Sequence, residues 1–268
     1  METLLELKVE MIKISVAQIK NSTSLDKNFE AIWKCLEVSK KEDVDLVVFP
    51  ECSLSGFSAL IKECTEEVLS PYLEKIISWS ENSGIAVLLP TAFKSDQIYN
   101  SGYFITGKEF KKFFKVGLTE SEQKFFSVPD DYKKEIFQLG NYRFANLICM
   151  EAQQEPNLYF KNGSVDFILW PGYWGWQPDD GWSEVKQDGS ENPIYTNMKS
   201  WTVPLIQSNF SYNDQMDQRD GGPRGLSYVV DSKNKLVHKG SFEEESCFFL
   251  TFDKETQELK ILKEQNIW

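Results

Sequence analysis

The stretch Arg143-Phe-Ala-Asn-Leu-Ile-Cys-Met-Glu-Ala-Gln-Gln-Glu-Pro156 is a short apolar run that stops on a cysteine and gives way to a polar, helix-capable segment. Such a run belongs to a strand buried in an α/β sheet, so Cys149 is placed where a strand hands over to a helix. The open carboxyl end of such a strand faces a crevice, and a following helix directs its free N–H groups and positive dipole end into it. A thiolate or an oxyanion is expected to be stabilised there. The competing reading of Cys149 is a small buried apolar residue with no chemistry, the ordinary use of a free cysteine.

The histidine count narrows the chemistry. The chain has 1 His, His238, in Leu-Val-His-Lys-Gly, which reads as the end of a half-exposed strand entering a turn. A Cys-His or Ser-His-Asp apparatus therefore has one badly placed base, and a carboxylate or an amine must activate any nucleophile. Two other segments supply such groups in the same setting. Asp45-Leu-Val-Val-Phe-Pro-Glu51 is a buried-strand pattern that ends at Glu51, and Glu-Phe-Lys-Lys-Phe-Phe-Lys-Val-Gly-Leu118 places Lys115 just past an aromatic strand, with Glu120 and Glu122 beyond it. Each alone is ordinary, since loop glutamates and lysines usually face water. The order Glu, Lys, Cys is what carries information.

In that order the chain resembles the nitrilase, or carbon–nitrogen hydrolase, superfamily. Val-Val-Phe-Pro-Glu-Cys-Ser-Leu-Ser-Gly-Phe57 is similar to its first motif, Phe-Lys-Val-Gly-Leu118 with Glu122-Gln-Lys-Phe-Phe126 to its second, and Leu-Ile-Cys-Met-Glu151 to its third. The similarity continues through Tyr99-Asn-Ser101, Phe167-Ile-Leu-Trp-Pro171, Trp174, Asn209 and Gly225-Leu-Ser-Tyr-Val-Val-Asp231. The resemblance implies a four-layer αββα sandwich with two mixed β-sheets. It implies hydrolysis of a non-peptide carbon–nitrogen bond in a small amide or carbamoyl compound, through a thioester on Cys149. Glu51 is then the base, Lys115 with the backbone N–H of Met150 holds the oxyanion, and Glu122 supports the lysine, with Glu120 a rival for that place. Nitrile hydrolysis is the alternative chemistry, and a catalytically silent relative that binds a ligand or partner is the alternative class. No metal or organic cofactor is required, and a homo-oligomer, a dimer by resemblance, is expected. After the cysteine the chain departs from the common amidase pattern, reading Met150, Glu151, Ala152, Gln153, Gln154, Glu155, Pro156, so the branch is not assigned.

Composition fits a cytoplasmic enzyme. Hydrophobic residues make up 41% and aromatics 14% of the 268 residues, enough for a large core. The chain is read as one domain over 1–268, with its core at about 12–250 and a C-terminal strand or tail at 251–268. The net charge of −12 argues against nucleic acid or an anionic membrane as partner, because phosphates would be repelled. The 5 cysteines, Cys35, Cys52, Cys64, Cys149 and Cys247, have no metal-type spacing and read as reduced thiols. Cys52 directly follows Glu51, but neighbours in an extended segment point to opposite faces, so it reads as packing. The start, Met-Glu-Thr-Leu-Leu-Glu-Leu-Lys-Val-Glu10, lacks the basic residues and apolar run of a signal peptide.

Periodicity supplies the remaining elements. Ile12–Ile19 reads as a first strand and Asp26–Lys41 as a helix with Phe29, Ile32, Trp33 and Leu36 on one face. A second helix over Glu66–Ser80 ends before Gly84, and Ile85–Pro90 forms a third strand. Strands follow at Gly102–Gly107, Glu109–Phe114, Glu135–Leu139 and Phe144–Cys149, then a helix near Pro156–Lys161 and a strand at Val165–Trp170. A helix ahead of Pro204 precedes late strands at Leu205–Asn209, Leu226–Asp231, Lys235–His238 and Cys247–Phe252. Between Gly172 and Asn197 the connection is too long for an ordinary loop, and long loops commonly bind ligands, so Tyr173 and Trp174 are candidates to line a substrate pocket. An aromatic plug over the sheet end is the competing reading of both.

Overall fold

The structure, a computed structural model, describes residues 11–160, 164–175, 201–213, 225–233 and 235–268. Six of its strands form two parallel trios, as largely buried apolar runs do. In one sheet Ile12–Gln18 (β1), Leu46–Val48 (β2) and Ala86–Lys94 (β3) run parallel. In the other, Tyr142–Asn146 (β7), Phe167–Pro171 (β8) and Leu205–Ser208 (β9) do the same.

Antiparallel strands flank each trio. Ile98–Thr106 (β4) and Glu109–Phe114 (β5) extend the first sheet on one side, and Ser246–Phe252 (β12) with Leu259–Asn266 (β13) extend it on the other. Its order is β13-β12-β1-β2-β3-β4-β5. The second sheet adds Phe137–Leu139 (β6) at one edge and Tyr228–Val230 (β10) with Leu236–Lys239 (β11) at the other, in the order β11-β10-β9-β8-β7-β6.

The sheets stack face to face. Ile14, Val16, Leu46, Val48 and Leu88 from the first meet Phe144, Phe167, Leu169, Ile206 and Val229 from the second in one buried cluster. Hydrogen bonds stitch the layers together, from Ser208 Oγ to the Ala17 carbonyl at 2.6 Å and from Tyr142 Oη to the Phe252 carbonyl at 3.2 Å. Helices Leu25–Lys41 (α1) and Glu66–Ser83 (α2) cover the outer face of the first sheet. Ser24 and Thr65 cap them by accepting from the N–H groups of Lys27 and Val68, and Gly84 closes α2 at φ 74°. On α1, Ile32 and Leu36 are buried while Phe29 and Trp33 pack at the margin. The outer face of the second sheet carries Ala145, Ile168, Trp170, Leu205 and Tyr228, against which Phe160 and Trp201 pack. The two stacked mixed sheets are consistent with the αββα sandwich the resemblance implied, and among the described residues only short 3-10 turns lie beside the outer face of the second sheet.

Several boundaries differ from the sequence reading. β3 does not stop at Pro90 but runs to Lys94, with β4 beginning at Ile98 rather than Gly102. Pro90 is tolerated because its carbonyl accepts from Ser53 Oγ at 3.0 Å and Leu54 N at 3.4 Å, so its ring nitrogen faces the side where β2 has already ended. β7 stops at Asn146, not Cys149, and the segment after it is a 3-10 helix over Cys149–Gln153 rather than an α-helix. The helix expected near Pro156–Lys161 is a 3-10 turn at Pro156–Leu158. The helix expected ahead of Pro204 and most of the long connection after Gly172 lie outside the described residues. No described helix is long and apolar enough to cross a membrane.

Candidate active site

The sheet ends converge on one buried cluster. Glu51 follows β2 and is 1% exposed; its backbone N–H donates to the Gly172 carbonyl just past β8, at 3.3 Å, which joins the ends of the two sheets. Lys115 follows β5 directly, donates its own N–H to the Asn100 carbonyl of β4 at 2.8 Å, and is fully buried. The chain then loops so that Glu122 returns to the lysine, with Glu122 Oε2 accepting from Thr119 N at 2.8 Å. Glu120 is exposed.

At the centre, Lys115 Nζ lies 2.7 Å from Glu51 Oε1 and 2.6 Å from Glu122 Oε1. Asn100 Nδ2 donates to the same Glu51 oxygen at 2.7 Å and reaches Glu122 Oε1 at 3.4 Å. The second Glu51 oxygen, Oε2, is buried without a hydrogen-bond partner. Two carboxylates thus share one ammonium in a low-dielectric site. Burial pushes the Glu51 carboxyl above its ordinary value, Lys115 pulls it back, and Glu122 adds to the rise. Burial alone would push Lys115 down, but the Glu51 carboxylate, with Glu122 beside it, outweighs burial and holds the ammonium well above its usual range.

Cys149 sits across from this cluster on the second sheet. Its backbone adopts φ 49°, a left-handed conformation that L-residues seldom take, and its carbonyl is fixed by Trp170 Nε1 at 2.8 Å. The sharp turn lifts the thiol out of the strand, and Sγ points toward the Tyr173 carbonyl at 3.9 Å. Burial raises the thiol pKa, Glu51 raises it further, and Lys115 opposes them. The resting group is therefore a neutral thiol. This direction is opposite to the stabilised thiolate expected from the sequence, because burial and the neighbouring Glu51 carboxylate outweigh Lys115.

A pocket of about 320 Å³ opens above these groups, lined by Glu51, Glu122 and Cys149 together with Met150, Tyr173 and Trp174. All six are residues the sequence singles out, and Lys115 lies directly behind the wall they form, whereas the rival Glu120 is not part of it. Tyr173 stacks on Phe57 at 4.6 Å with an interplanar angle of 7°, and Trp174 is held at both its N–H and its carbonyl by the Asn209 side chain, at 2.9 Å and 3.0 Å. Cys52 is fully buried and directs Sγ to Asn100 Oδ1 at 3.7 Å, which leaves it among packing groups. His238 pairs with Glu264 at 3.4 Å on β11, among residues that do not line the pocket. Sequence reasoning gave no role to Asn100, Phe57, Thr119 or Lys134. Asn100 left a faint signal, since an Asn-Ser pair inside an aromatic strand invites the question of what its buried amide binds.

A sequence profile described as carbon-nitrogen hydrolase matches residues 13–260. The chain belongs to the carbon–nitrogen hydrolase family. Within it, the chain is 27% identical over 149 residues to a nitrilase from Pyrococcus abyssi, covering 53% of this chain and 56% of that one. It is 26% identical over 151 residues to an (R)-stereoselective amidase from Pseudomonas sp., covering 55% of this chain and 53% of that one. The matched part thus spans a little over half the length of each. An amidase from Nesterenkonia sp. superposes with a TM-score of 0.72 at 14% identity, covering 94% of each chain. At that identity the likeness speaks to the fold.

Proposed function

We propose that this carbon–nitrogen hydrolase cleaves a small-molecule amide or carbamoyl compound through a thioester on Cys149. The observation that supports it most is the ammonium of Lys115 clamped at 2.7 Å and 2.6 Å between two buried carboxylates beside the pocket that holds the thiol. In this reading Glu51 Oε2, the oxygen without a partner, takes the thiol proton as sulfur attacks the substrate carbonyl. The negative charge moves from Glu51 to the carbonyl oxygen, where Lys115 and the Met150 N–H receive it. No new net charge is created in the buried site, so the step avoids the cost of forming an ion there. The protonated Glu51 then delivers its proton to the departing amine, the C–N bond breaks and the thioester remains. Water enters, Glu51 takes its proton as hydroxide adds to the thioester, and collapse breaks the C–S bond, releasing the acid while Glu51 returns the proton to the departing sulfur.

Glu122 has a supporting part in this scheme. It accepts from Lys115 Nζ at 2.6 Å independently of Glu51, so the ammonium keeps a partner while Glu51 is protonated.

The test is intact-protein mass spectrometry of the wild type and Cys149→Ala after incubation with a panel of small amides and quenching in acid. An acyl adduct on the wild type alone, accompanied by ammonia release, supports the reading. The Pyrococcus abyssi relative makes a nitrile the second substrate class to try. Conversion of a nitrile to acid and ammonia with no amide turned over would favour it. Neither adduct nor ammonia with amides, esters or nitriles would favour a silent, ligand-binding relative.

A further inference from the structure

One buried carboxylate outside the cluster described above touches both halves of the site. Glu151, fully buried two residues past the cysteine, uses Oε2 to accept from Ile148 N at 2.7 Å and from Lys134 Nζ at 2.7 Å. Its Oε1 accepts from Val116 N at 2.8 Å and Gly117 N at 3.1 Å. Lys134 Nζ also donates to the Phe114 carbonyl at 3.3 Å. The residues on either side of Lys115 are therefore fixed by this pair, and so is the peptide N–H just ahead of Cys149. The approach is close: a Cβ at position 117 would overlap Tyr159 Oη and come within 2.9 Å of Glu151 Cγ, so those side chains would have to move.

We infer that Glu151 and Lys134 form a positioning latch that sets Lys115 against Cys149, so that the cation and the nucleophile are placed by one ion pair rather than by their separate strands. A buried pair of this kind is weak evidence of stabilisation, because desolvation offsets much of its attraction, but it is well suited to fixing a register. Burial pushes the Lys134 ammonium down and Glu151 counters it, so removing either partner leaves the other uncompensated. The sequence separates the two by 17 residues, and neither lines the pocket. The inference rests on the proposed roles of Lys115 and Cys149.

The test uses alkylation of Cys149 by iodoacetamide in the folded protein, which needs no substrate and so stands or falls apart from the amide reading. Glu151→Gln keeps an acceptor for Val116 and Gly117 but turns an amide NH2 toward two donors, and Lys134→Met removes the cation. Both are expected to slow alkylation of the folded fraction on the order of 10-fold or more, as displacement of a reacting group by about 1 Å does. Lys134→Arg is expected to restore most of the rate. With a substrate in hand, kcat falls while KM changes little. Gly117→Ala, which crowds Glu151 and Tyr159 against the loop without altering any charge, is the second variant should Glu151→Gln fail to fold, and the same slowing is expected. A purely structural pair would lower the melting temperature yet leave folded protein alkylating at the wild-type rate, and that result in Lys134→Met or Gly117→Ala overturns the inference.

Discussion

The buried cluster holds two carboxylates and one ammonium, and this imbalance should give unequal stability consequences to two substitutions that both lower turnover in the proposed mechanism. In Glu51→Gln the amide oxygen still accepts from Lys115 and Asn100, as Oε1 does now. The amide nitrogen replaces Oε2, which has no hydrogen bond to lose, and Lys115 with Glu122 remains a balanced pair. One unsatisfied buried group replaces another, and an excess anion disappears. The unfolding free energy should stay within about 1 kcal/mol of wild type, the scale of one net hydrogen bond. Lys115→Met instead leaves both carboxylates without a counter-charge, and breaking a buried pair from one side costs about 3–5 kcal/mol. At about 2–4 °C per kcal/mol for chains near this size, the melting temperature should fall by roughly 6–20 °C. That deficit should shrink on acidification. Carboxyls whose folded pKa is raised bind protons more tightly when folded, so stability is lost as pH rises through that pKa and is recovered below it. Turnover should fall about 10²–10⁴-fold in Glu51→Gln and about 10²–10³-fold in Lys115→Met. Urea unfolding at neutral and mildly acidic pH, with ammonia release as the activity assay, reads both. Equal destabilisation by the two variants, or persistent turnover in Glu51→Gln, would refute the charge argument.

Iodoacetamide should modify Cys149 ahead of the other thiols in the native protein, since Cys35, Cys52, Cys64 and Cys247 are buried and Cys149 alone is partly exposed; peptide mapping checks this. The acid limb of kcat/KM should lie above the ordinary glutamate value of 4.5, because burial raises Glu51 and the base works only when ionised; activity therefore falls as pH drops through that raised pKa, and the limb should vanish in Glu51→Gln. Gly102→Ala should cost about 1–3 kcal/mol, the usual range for overpacking, because its Cβ would overlap the Phe113 ring and lie 2.7 Å from the Leu89 carbonyl; thermal unfolding measures it.

How much of this was legible in the sequence follows from which interactions are local. Glu51 and Lys115 could be placed at strand ends because the apolar runs ahead of them are short and uninterrupted, and burial on both faces of a sheet needs nothing more. The length of β3 and β4 was hidden, because Pro90 and the Asn100-Ser101-Gly102 segment resemble turn residues. Their acceptability depends on a neighbour strand that has already ended and on a phenyl ring packed where a side chain would be. The choice between Glu120 and Glu122 was open for a similar reason. Two residues of loop decide which carboxylate returns to the ammonium, and the deciding contacts are the bonds of Thr119 to Glu122, made through its backbone N–H and its hydroxyl. At Cys149 the sequence indicated a strand end but not the left-handed backbone, which depends on Trp170 from the neighbouring strand and Glu151 reaching back to Ile148.

The site also explains why a two-sheet architecture serves this chemistry. Glu51 and Lys115 come from the first sheet and Cys149 from the second, so in the proposed mechanism the thiol need not share a strand with the carboxylate or the ammonium. What such an arrangement lacks is any local constraint on the distance between them, since sheets that meet only through apolar side chains can slide. The directional contacts across the gap supply that constraint: Glu51 N to the Gly172 carbonyl, and Glu151 to the loop bearing Lys115. Apolar packing between the sheets determines that the two halves meet, whereas these few hydrogen bonds determine their separation. Substitutions in the shared phenylalanine core, such as Phe144→Leu, should accordingly lower stability more than turnover per folded molecule, whereas loss of the cross-sheet hydrogen bonds should do the reverse.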